Sequence, residues 1–318
     1  QNFGTMTPSY FDTIINIFAK KHQMKFNKYY ASALIAFIIW GFFSLALKPL
    51  HDYPSLDILF YRVFFSTTVL LVINFIFRIN LLKKSLELFQ SFSKKKKRNT
   101  ILLTAAGGFL LVFNWFLFMY AVNHVSLQSA SLAYLICPII TTVLAFIILK
   151  EKLDNWQWLA VTICVISCAI LSYGHATELI YSFIIATTFA LYLISQRRNN
   201  EFDKFLILTI QLVIASLVLL PFYQKFSAAV PTESLFYTMM GFIVVLFTII
   251  PLFLNLFALK GMNSSAVGIL MYTNPLINFL LALFYFKEDI QFSQLMAYSL
   301  IGISIIVFNK KVLFNSNN

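Results

Sequence analysis

Residues 121–161 read AVNHVSLQSASLAYLICPIITTVLAFIILKEKLDNWQWLAV, and residues 258–298 read ALKGMNSSAVGILMYTNPLINFLLALFYFKEDIQFSQLMAY. The two stretches align without gaps at an offset of 137 residues, so that Pro138 falls on Pro275 and each proline precedes a Lys-Glu pair by twelve residues. Both stretches contain apolar runs that are long enough to cross a membrane. An internal repeat in such a chain is typical of transporters, in which two related halves move around a shared site near the membrane midplane.

The composition places the chain in a membrane. Of its 318 residues, 60% are hydrophobic and only 11% are charged, and the mean hydropathy is +0.81. A soluble domain carries about 25% charged residues, so this chain has too few charges for a surface that faces water. The 36 Phe and 15 Tyr side chains suit acyl chains and membrane interfaces. We therefore expect an integral membrane protein.

Hydropathy predicts an all-α membrane protein with ten transmembrane helices. The predicted spans are residues 29–48, 56–77, 100–122, 126–149, 156–174, 177–196, 204–223, 236–259, 263–286 and 291–309. Five helices in each half is an odd number, so the second half enters the membrane in the opposite orientation, giving two inverted five-helix repeats. The predicted division is an N-terminal segment at 1–28, repeats at 29–174 and 177–309, and a tail at 310–318.

The distribution of Lys and Arg predicts the orientation in the membrane. On the ten-helix scheme, 20 of the 24 cations fall on the side of the N-terminus, Arg62 lies within a span, and only Lys48, Lys225 and Lys287 fall on the other side. Cytoplasmic loops carry an excess of Lys and Arg. We therefore expect a multi-pass protein of the cell (inner) membrane with both termini in the cytoplasm. Residues 11–19 are short and amphipathic, and either lie on the membrane surface or form a disordered leader.

Few residues suggest metal, cofactor or nucleic-acid chemistry. Cys137, Cys164 and Cys168 all lie in apolar runs without a neighbouring His, which favours buried structural thiols over a metal site. We expect no cofactor. The run SKKKKR at 93–98 has the composition of a segment that binds acidic lipid or nucleic acid, but retention of a cytoplasmic loop explains it with fewer assumptions. The expected partners are therefore a small-molecule substrate and membrane lipid, without nucleic acid; the sequence leaves the oligomeric state open.

Residues 114–161 resemble the RarD branch of the EamA transporters, within the drug/metabolite transporter superfamily. Further similarity lies in FIIWG at 37–41, in DILFYR at 57–62, and in the run at 248–288 that contains Pro251. The resemblance covers about residues 28–310. It implies a ten-helix inner-membrane carrier, of a kind that commonly exports small metabolites or drugs.

The chain departs from the RarD pattern at three positions. Cys137 stands where the family typically has Asn before the proline, Ser129 where it commonly has Glu, and Met271 where it commonly has Gln. Without a carboxylate at position 129, proton coupling through that position is in question. The departures also leave open a substrate different from that of the family.

Arg62 is the sharpest candidate for a substrate contact. It lies about six residues inside the second predicted span, about 9 Å along the helix axis. A cation at the bilayer centre costs about 2.5 kcal/mol or more on insertion scales, so Arg62 requires a partner or an aqueous cavity. One interpretation is a contact with an anionic or carboxylate-bearing substrate; the other is a snorkelling or structurally paired arginine, with Asp57 as its partner.

Other polar, aromatic or soft side chains inside the spans are candidates for a substrate cavity, and they are Asn114, Trp115, Tyr134, Tyr192, Gln211, Met271, Tyr272 and Asn274. For any one of them, interhelical packing or hydrogen bonding is the simpler interpretation. As a set they favour a cavity for amphipathic or aromatic solutes. Pro138 and Pro275 each remove a helix hydrogen bond and are predicted hinges, with a tolerated kink as the alternative.

A secondary transporter working by alternating access explains these features best. The alternative is a membrane-embedded enzyme, which needs clustered His, Asp, Glu or Cys at the membrane face. None of the twelve acidic residues lies in the middle of a predicted span, and no nucleotide-binding loop appears in the sequence. The sequence therefore predicts a transporter, an exporter by its resemblance, and not an enzyme.

Overall fold

A computed structural model describes residues 28–125, 127–173, 176–200, 202–287 and 291–310, and within these ranges the chain forms helices and turns without any strand. Residues 11–19 and the greater part of the predicted tail lie outside the described residues. The same holds for the side chain of Ser129.

Eleven helical segments follow one another along the described chain. They are α1 (Lys28–Leu50), α2 (Ser55–Phe77), α3 (Ile79–Ser91), α4 (Lys94–His124), α5 (Leu127–Leu149), α6 (Asn155–Ser172), α7 (Ala176–Arg198), α8 (Lys204–Phe226), α9 (Ser234–Gly261), α10 (Ser264–Tyr285) and α11 (Phe292–Phe308).

The lengths of these segments identify a polytopic membrane protein. Among the described residues, nine helices are long and apolar enough to cross a membrane, and α11 is a shorter apolar helix of 17 residues. At 1.5 Å per residue α11 extends over about 26 Å, the lower limit for a span. The remaining segment, α3, is an amphipathic helix between two spans. The prediction of an all-helical membrane protein is therefore confirmed.

Two boundaries differ from those predicted by hydropathy. The basic stretch between the second and third spans is not a loop, because it forms α3 and the first turn of α4, which begins at Lys94. Charged residues lower the hydropathy of these turns without preventing them from being helical, and Ser93 supplies a cap by accepting a hydrogen bond from the backbone N–H of Lys96. The predicted span at 263–286 is interrupted, since its helix stops at Leu270 and resumes at Thr273.

Contacts of polar and charged side chains join helix ends that are distant in the sequence. Arg78, at the end of α2, forms two hydrogen bonds of 3.0 and 3.1 Å with Asp203, which precedes α8. Lys310, just after α11, lies 3.4 Å from the ring centroid of Trp156 in the first turn of α6. We call the end of the bundle that contains these residues the basic end. At the opposite end, the hydroxyl of Tyr53 donates to the carboxylate of Glu233 at 3.0 Å.

The helix ends preserve the sequence repeat. Lys150 and Lys287, which follow α5 and α10, both adopt the left-handed backbone conformation, with φ of 56° and 53°. The helices that come next, α6 and α11, both begin with a capping box, formed by Asp154 with Gln157 and by Gln291 with Gln294. Each of these pairs of features is separated by 137 residues. The repeat in sequence is therefore also a repeat in local structure.

The interior of the bundle is tightly packed. Gly41 of α1 lies against Ile277 of α10, and a Cβ atom at this glycine would come within 2.7 Å of the Ile277 side chain. Only glycine therefore permits α1 and α10 to approach so closely at this level. This contact brings α1 beside α9 and α10, which form one wall of the cavity described next.

Candidate functional site

A cavity of about 70 Å³ lies among α1, α2, α4, α5, α7, α9 and α10. Its lining residues are Phe37, Trp40, Phe43, Leu59, Arg62, Asn114, Trp115, Phe118, Met119, Tyr134, Phe189, Leu252, Met271 and Asn274. The volume holds a few water molecules and is well below the ~300 Å³ of a typical ligand pocket. An organic solute therefore needs the surrounding helices to separate.

Arg62 provides the only charge among the described residues that line this cavity. Its Nε donates to the hydroxyl of Thr248 at 2.7 Å, and its Nη2 lies 3.5 Å from the carbonyl oxygen of Phe247. The guanidinium carbon lies over two aromatic rings, 5.0 Å from the centroid of Phe43 and 4.8 Å from that of Trp115. The side chain is only 7% exposed. These contacts hold a cation inside the membrane span without neutralising it.

Asp57 is not the partner of Arg62. Both carboxylate oxygens of Asp57 instead accept hydrogen bonds from the backbone N–H of Ala228, at 3.3 and 3.2 Å. Among the described residues Arg62 forms no ion pair with a carboxylate, whereas Arg78 forms one with Asp203. The interpretation of Arg62 as half of a pair with Asp57 is therefore wrong, because Asp57 holds the α8–α9 connection in place.

The structure brings together six of the nine predicted substrate-binding residues, and they are Arg62, Asn114, Trp115, Tyr134, Met271 and Asn274. Each lies on the wall of the same cavity. Asn114 is also tied to α7, because its Nδ2 donates to the carbonyl of Ile185 and to the hydroxyl of Thr188. Their role in binding remains a prediction.

The other three predicted residues are fully buried outside this lining. The hydroxyl of Tyr272 donates to the carbonyl of Leu135 at 2.8 Å, and the Nε2 of Gln211 donates to Gln196 at 3.0 Å. The hydroxyl of Tyr192 has no hydrogen-bond partner among the described residues. In this conformation Tyr272 and Gln211 therefore form hydrogen bonds between helices, which is the simpler of the two interpretations that the sequence offered.

Sequence reasoning missed the apolar part of the lining. The missed residues are Phe37, Trp40, Phe43, Leu59, Phe118, Met119, Phe189 and Leu252. In helices that are apolar on every side, an aromatic side chain facing a cavity cannot be distinguished from one facing lipid. The resemblance to the family covers Phe37 and Trp40 in FIIWG at 37–41 and also the runs at 57–62, 114–161 and 248–288, which contain Leu59, Phe118, Met119 and Leu252. It does not show which of these side chains face a cavity.

The predicted hinge prolines lie in different local structures. Pro138 is inside α5, which continues as one helix from Leu127 to Leu149. Pro275 follows the interruption of α10 and lies in the first turn of its second part. Their action as hinges stays a prediction.

A hydrogen-bonded latch joins helix ends at the basic end. The carboxylate of Glu151, just after α5, accepts from the backbone N–H groups of Ser264 and Ser265 at 2.7 and 3.0 Å and from the Ser265 hydroxyl at 2.6 Å. A carboxylate at a helix N-terminus is stabilised by the free N–H groups and by the helix dipole. Arg198 of α7 reaches the same region and donates to the carbonyl of Ile148 at 3.1 Å. In this conformation the ends of α5, α7 and α10 are therefore fastened together.

The described residues contain no group of three or more His, Cys, Asp or Glu side chains able to hold a metal ion. The three cysteines are buried and form no disulfide. Cys164 donates to the hydroxyl of Ser304 at 3.0 Å, and Cys168 donates to the carbonyl of Leu135 at 3.4 Å. These thiols join α6 to α11 and α5.

Comparison with known proteins identifies two matches to one family along the chain. The EamA-like transporter family matches residues 27–173 and 176–310. An uncharacterized transporter of Bacillus subtilis, YojE, is 31% identical over 280 residues, which cover 86% of this chain and 91% of the relative. The protein RarD of Salmonella typhi is 27% identical over 279 residues, which cover 87% and 92%. A solved crystal structure with 15% sequence identity and a TM-score of 0.69 covers 90% of this chain and 98% of its own, and supports the fold.

Proposed function

Because the chain belongs to the EamA-like transporter family, we propose that it is a secondary transporter that moves small solutes by alternating access between two inverted five-helix repeats. Membership of this family makes it a non-enzymatic membrane transporter, which excludes the membrane-embedded enzyme. The proposed repeats comprise residues 29–174 and 177–309, with 1–28 and 310–318 as flanking segments.

A direct contact between two equivalent positions supports the inverted arrangement. Leu135 and Tyr272 are separated by 137 residues, the offset of the repeat, and they are hydrogen-bonded to each other. Positions related by a two-fold axis touch each other only where they lie near that axis. The axis would therefore pass between α5 and α10, close to Pro138 and Pro275. The ten-helix scheme counts α11 as a span, equivalent to α6.

The orientation that we propose places the basic end in the cytoplasm. The described cations Arg78, Arg198 and Lys310 all lie at that end. Retention of cationic loops on the cytoplasmic side then puts both termini inside the cell. The latch formed by Glu151 therefore closes the cytoplasmic side in this conformation. Export of a metabolite or drug across the cell (inner) membrane is the direction that fits the family resemblance.

The proposed substrate is a small organic anion with a flat apolar body. One observation carries this proposal: Arg62 is a buried cation on the cavity wall that has no carboxylate partner among the described residues. A carboxylate would supply the missing charge, because the planar guanidinium binds it in a two-point fashion. Aromatic residues such as Phe43 and Trp115 provide flat surfaces for the rest of the solute.

Transport by purified protein in liposomes tests the proposal. The probes are the carboxylates benzoate and phenylacetate, with their neutral amides as matched solutes of the same shape. We expect the carboxylates to be transported and Arg62→Ala to abolish or greatly weaken their transport, while membrane insertion is unaffected because a costly cation has been removed. Arg78→Ala is the control, since Arg78 is paired with Asp203 away from the cavity. Equal transport by Arg62→Ala and the native protein would reduce Arg62 to a structural role.

A further inference from the structure

The α9 helix contains an irregular turn beside Arg62. A proline has no N–H, so Pro251 cannot donate to the carbonyl of Phe247, four residues before it. The preceding residues, Val245–Ile249, form a π-helical turn. The carbonyl of Phe247 therefore receives no hydrogen bond from position 251. It accepts a hydrogen bond from the Nε1 of Trp40 at 3.0 Å and lies 3.5 Å from the Nη2 of Arg62.

Thr248 supplies the second acceptor for Arg62. Its hydroxyl donates its one proton to the carbonyl of Ile243 at 3.0 Å, an i−5 contact that the π-helical turn permits. With the proton so placed, the oxygen is left as an acceptor for the Nε of Arg62 at 2.7 Å. Thr248 is completely buried, so water does not compete for this contact.

The two acceptors occupy one side of the guanidinium and leave another side unused. Nε and Nη2 are directed toward α9, and the guanidinium carbon lies 5.0 Å from the ring centroid of Phe43 and 4.8 Å from that of Trp115. No described residue accepts a hydrogen bond from Nη1. Since Arg62 lines the cavity, its terminal edge is the part left for a ligand. A guanidinium fixed on one side presents the other in a single orientation, and less entropy is then lost on binding.

We infer that Thr248 and Pro251 are positioning residues, which act through Arg62 to direct its terminal edge at a substrate carboxylate. This inference rests on the proposed function, because it takes Arg62 as the anion contact. Its consequence is selectivity: a correctly oriented edge forms two parallel hydrogen bonds with a carboxylate, whereas a neutral amide offers a single acceptor oxygen. The other interpretation is that both residues serve only the packing of α9.

Selectivity between a carboxylate and its amide distinguishes these interpretations. Thr248→Val keeps the shape of the side chain and removes the acceptor, and Thr248→Ser retains the hydroxyl. We expect Thr248→Val to raise the KM for phenylacetate about tenfold and to leave the KM for phenylacetamide unchanged. Thr248→Ser should keep the ratio of these two KM values at that of the native protein. Pro251→Ala returns an N–H that competes for the carbonyl of Phe247, and it should alter the same ratio less. Thr238→Val, at an exposed position of α9, is the matched control.

Combining Thr248→Val with Arg62→Ala tests whether Thr248 acts through Arg62. In an Arg62→Ala protein, Thr248→Val should cause no further change in selectivity, because the group that it positions is absent. An equal loss for acid and amide, or a further loss in the Arg62→Ala background, would overturn the positioning role. If Arg62→Ala removes selectivity while Thr248→Val preserves it, this inference fails and the proposed anion site stands. If Arg62→Ala itself leaves selectivity intact, the proposed anion site fails as well.

Discussion

The helices α5 and α10 occupy equivalent places in the repeat, yet one is continuous and the other is interrupted. Around Pro138, α5 runs unbroken, and the hydroxyl of Thr142 donates to the proline carbonyl at 2.9 Å. Before Pro275, the backbone N–H of Tyr272 donates to the carbonyl of Ile269 at 3.1 Å, a tighter turn that ends the first part of α10. The same proline in the same register is therefore compatible with two backbone conformations.

The ends of the two helices are nevertheless alike. Each stops at a left-handed lysine, and each is followed by a capping box. One difference lies in the middle, next to the contact between Tyr272 and Leu135. A second lies in the last turn, which is π-helical at Ala282–Phe286 in α10 and α-helical in α5. Two related elements that differ in shape beside the cavity fit alternating access, in which each half adopts in turn the shape of the other.

The largest effect concerns the orientation of the two equivalent joints. A reporter inserted after Lys152 should read cytoplasmic, and one inserted beside Lys287 should read external, because the first joint lies at the basic end and the proposed repeats are inverted. A reporter after Lys311 should again read cytoplasmic, and one near Lys225 external. Reporters that place the Lys152 and Lys287 joints on the same side would break the inverted scheme.

Loss of the latch should have the next largest effect. Glu151→Gln removes the charge that the N-terminus of α10 binds, so we expect the basic end to open about tenfold more often, since hydrogen bonds to a charged group contribute ~1.5–3 kcal/mol. The readout is thiol labelling of Asn255→Cys in a background lacking the native cysteines. Asn255 is fully buried and lies six residues before Gly261 at the basic end. Unchanged labelling would show that Glu151 caps α10 without governing access.

The two proline substitutions should act in opposite directions and more weakly. Pro275→Ala restores a donor that favours a continuous α10, so it should shift the protein away from the conformation described here and increase labelling of Asn255→Cys several-fold. Pro138→Ala should hold α5 straight and decrease that labelling. A cysteine at Met119, which lines the cavity, should show the reverse pattern from the external side. Shifts of the same sign, or none, would reject the symmetric hinge.

The smallest effect is expected at the left-handed lysines. A residue with a Cβ atom in this conformation is strained by about 1 kcal/mol, and glycine relieves that strain at some cost in chain entropy. Lys150→Gly and Lys287→Gly should therefore each raise the Tm in detergent by about 1–2 °C relative to the Lys→Ala variants. The increments should be equal if the two joints are equivalent. Unequal increments in Tm would show that the two helix ends share their backbone conformation but not its contribution to stability.

Much of the architecture could be predicted because it depends on local properties. Hydropathy located the spans, and the repeat placed Lys150 and Lys287 at equivalent helix ends, where both adopt the same backbone conformation. The amphipathic helix α3 was not predicted, because hydropathy alone does not distinguish a basic helix from a basic loop. For the cavity, only the polar side chains and the aromatic ones near them stood out from the apolar background.

The sequence by itself determined that the chain spans a membrane repeatedly, that two halves are related, and that one buried arginine needs an explanation. These properties follow from hydropathy, from repetition and from the cost of a charge in lipid, none of which requires knowledge of the helix arrangement. Only the tertiary structure decided which groups meet. Arg62 forms a hydrogen bond with Thr248, 186 residues away in the sequence, and Asp57 forms one with Ala228, 171 residues away. The rotation and crossing of helices set such contacts, and helices that are apolar on all faces do not specify these locally.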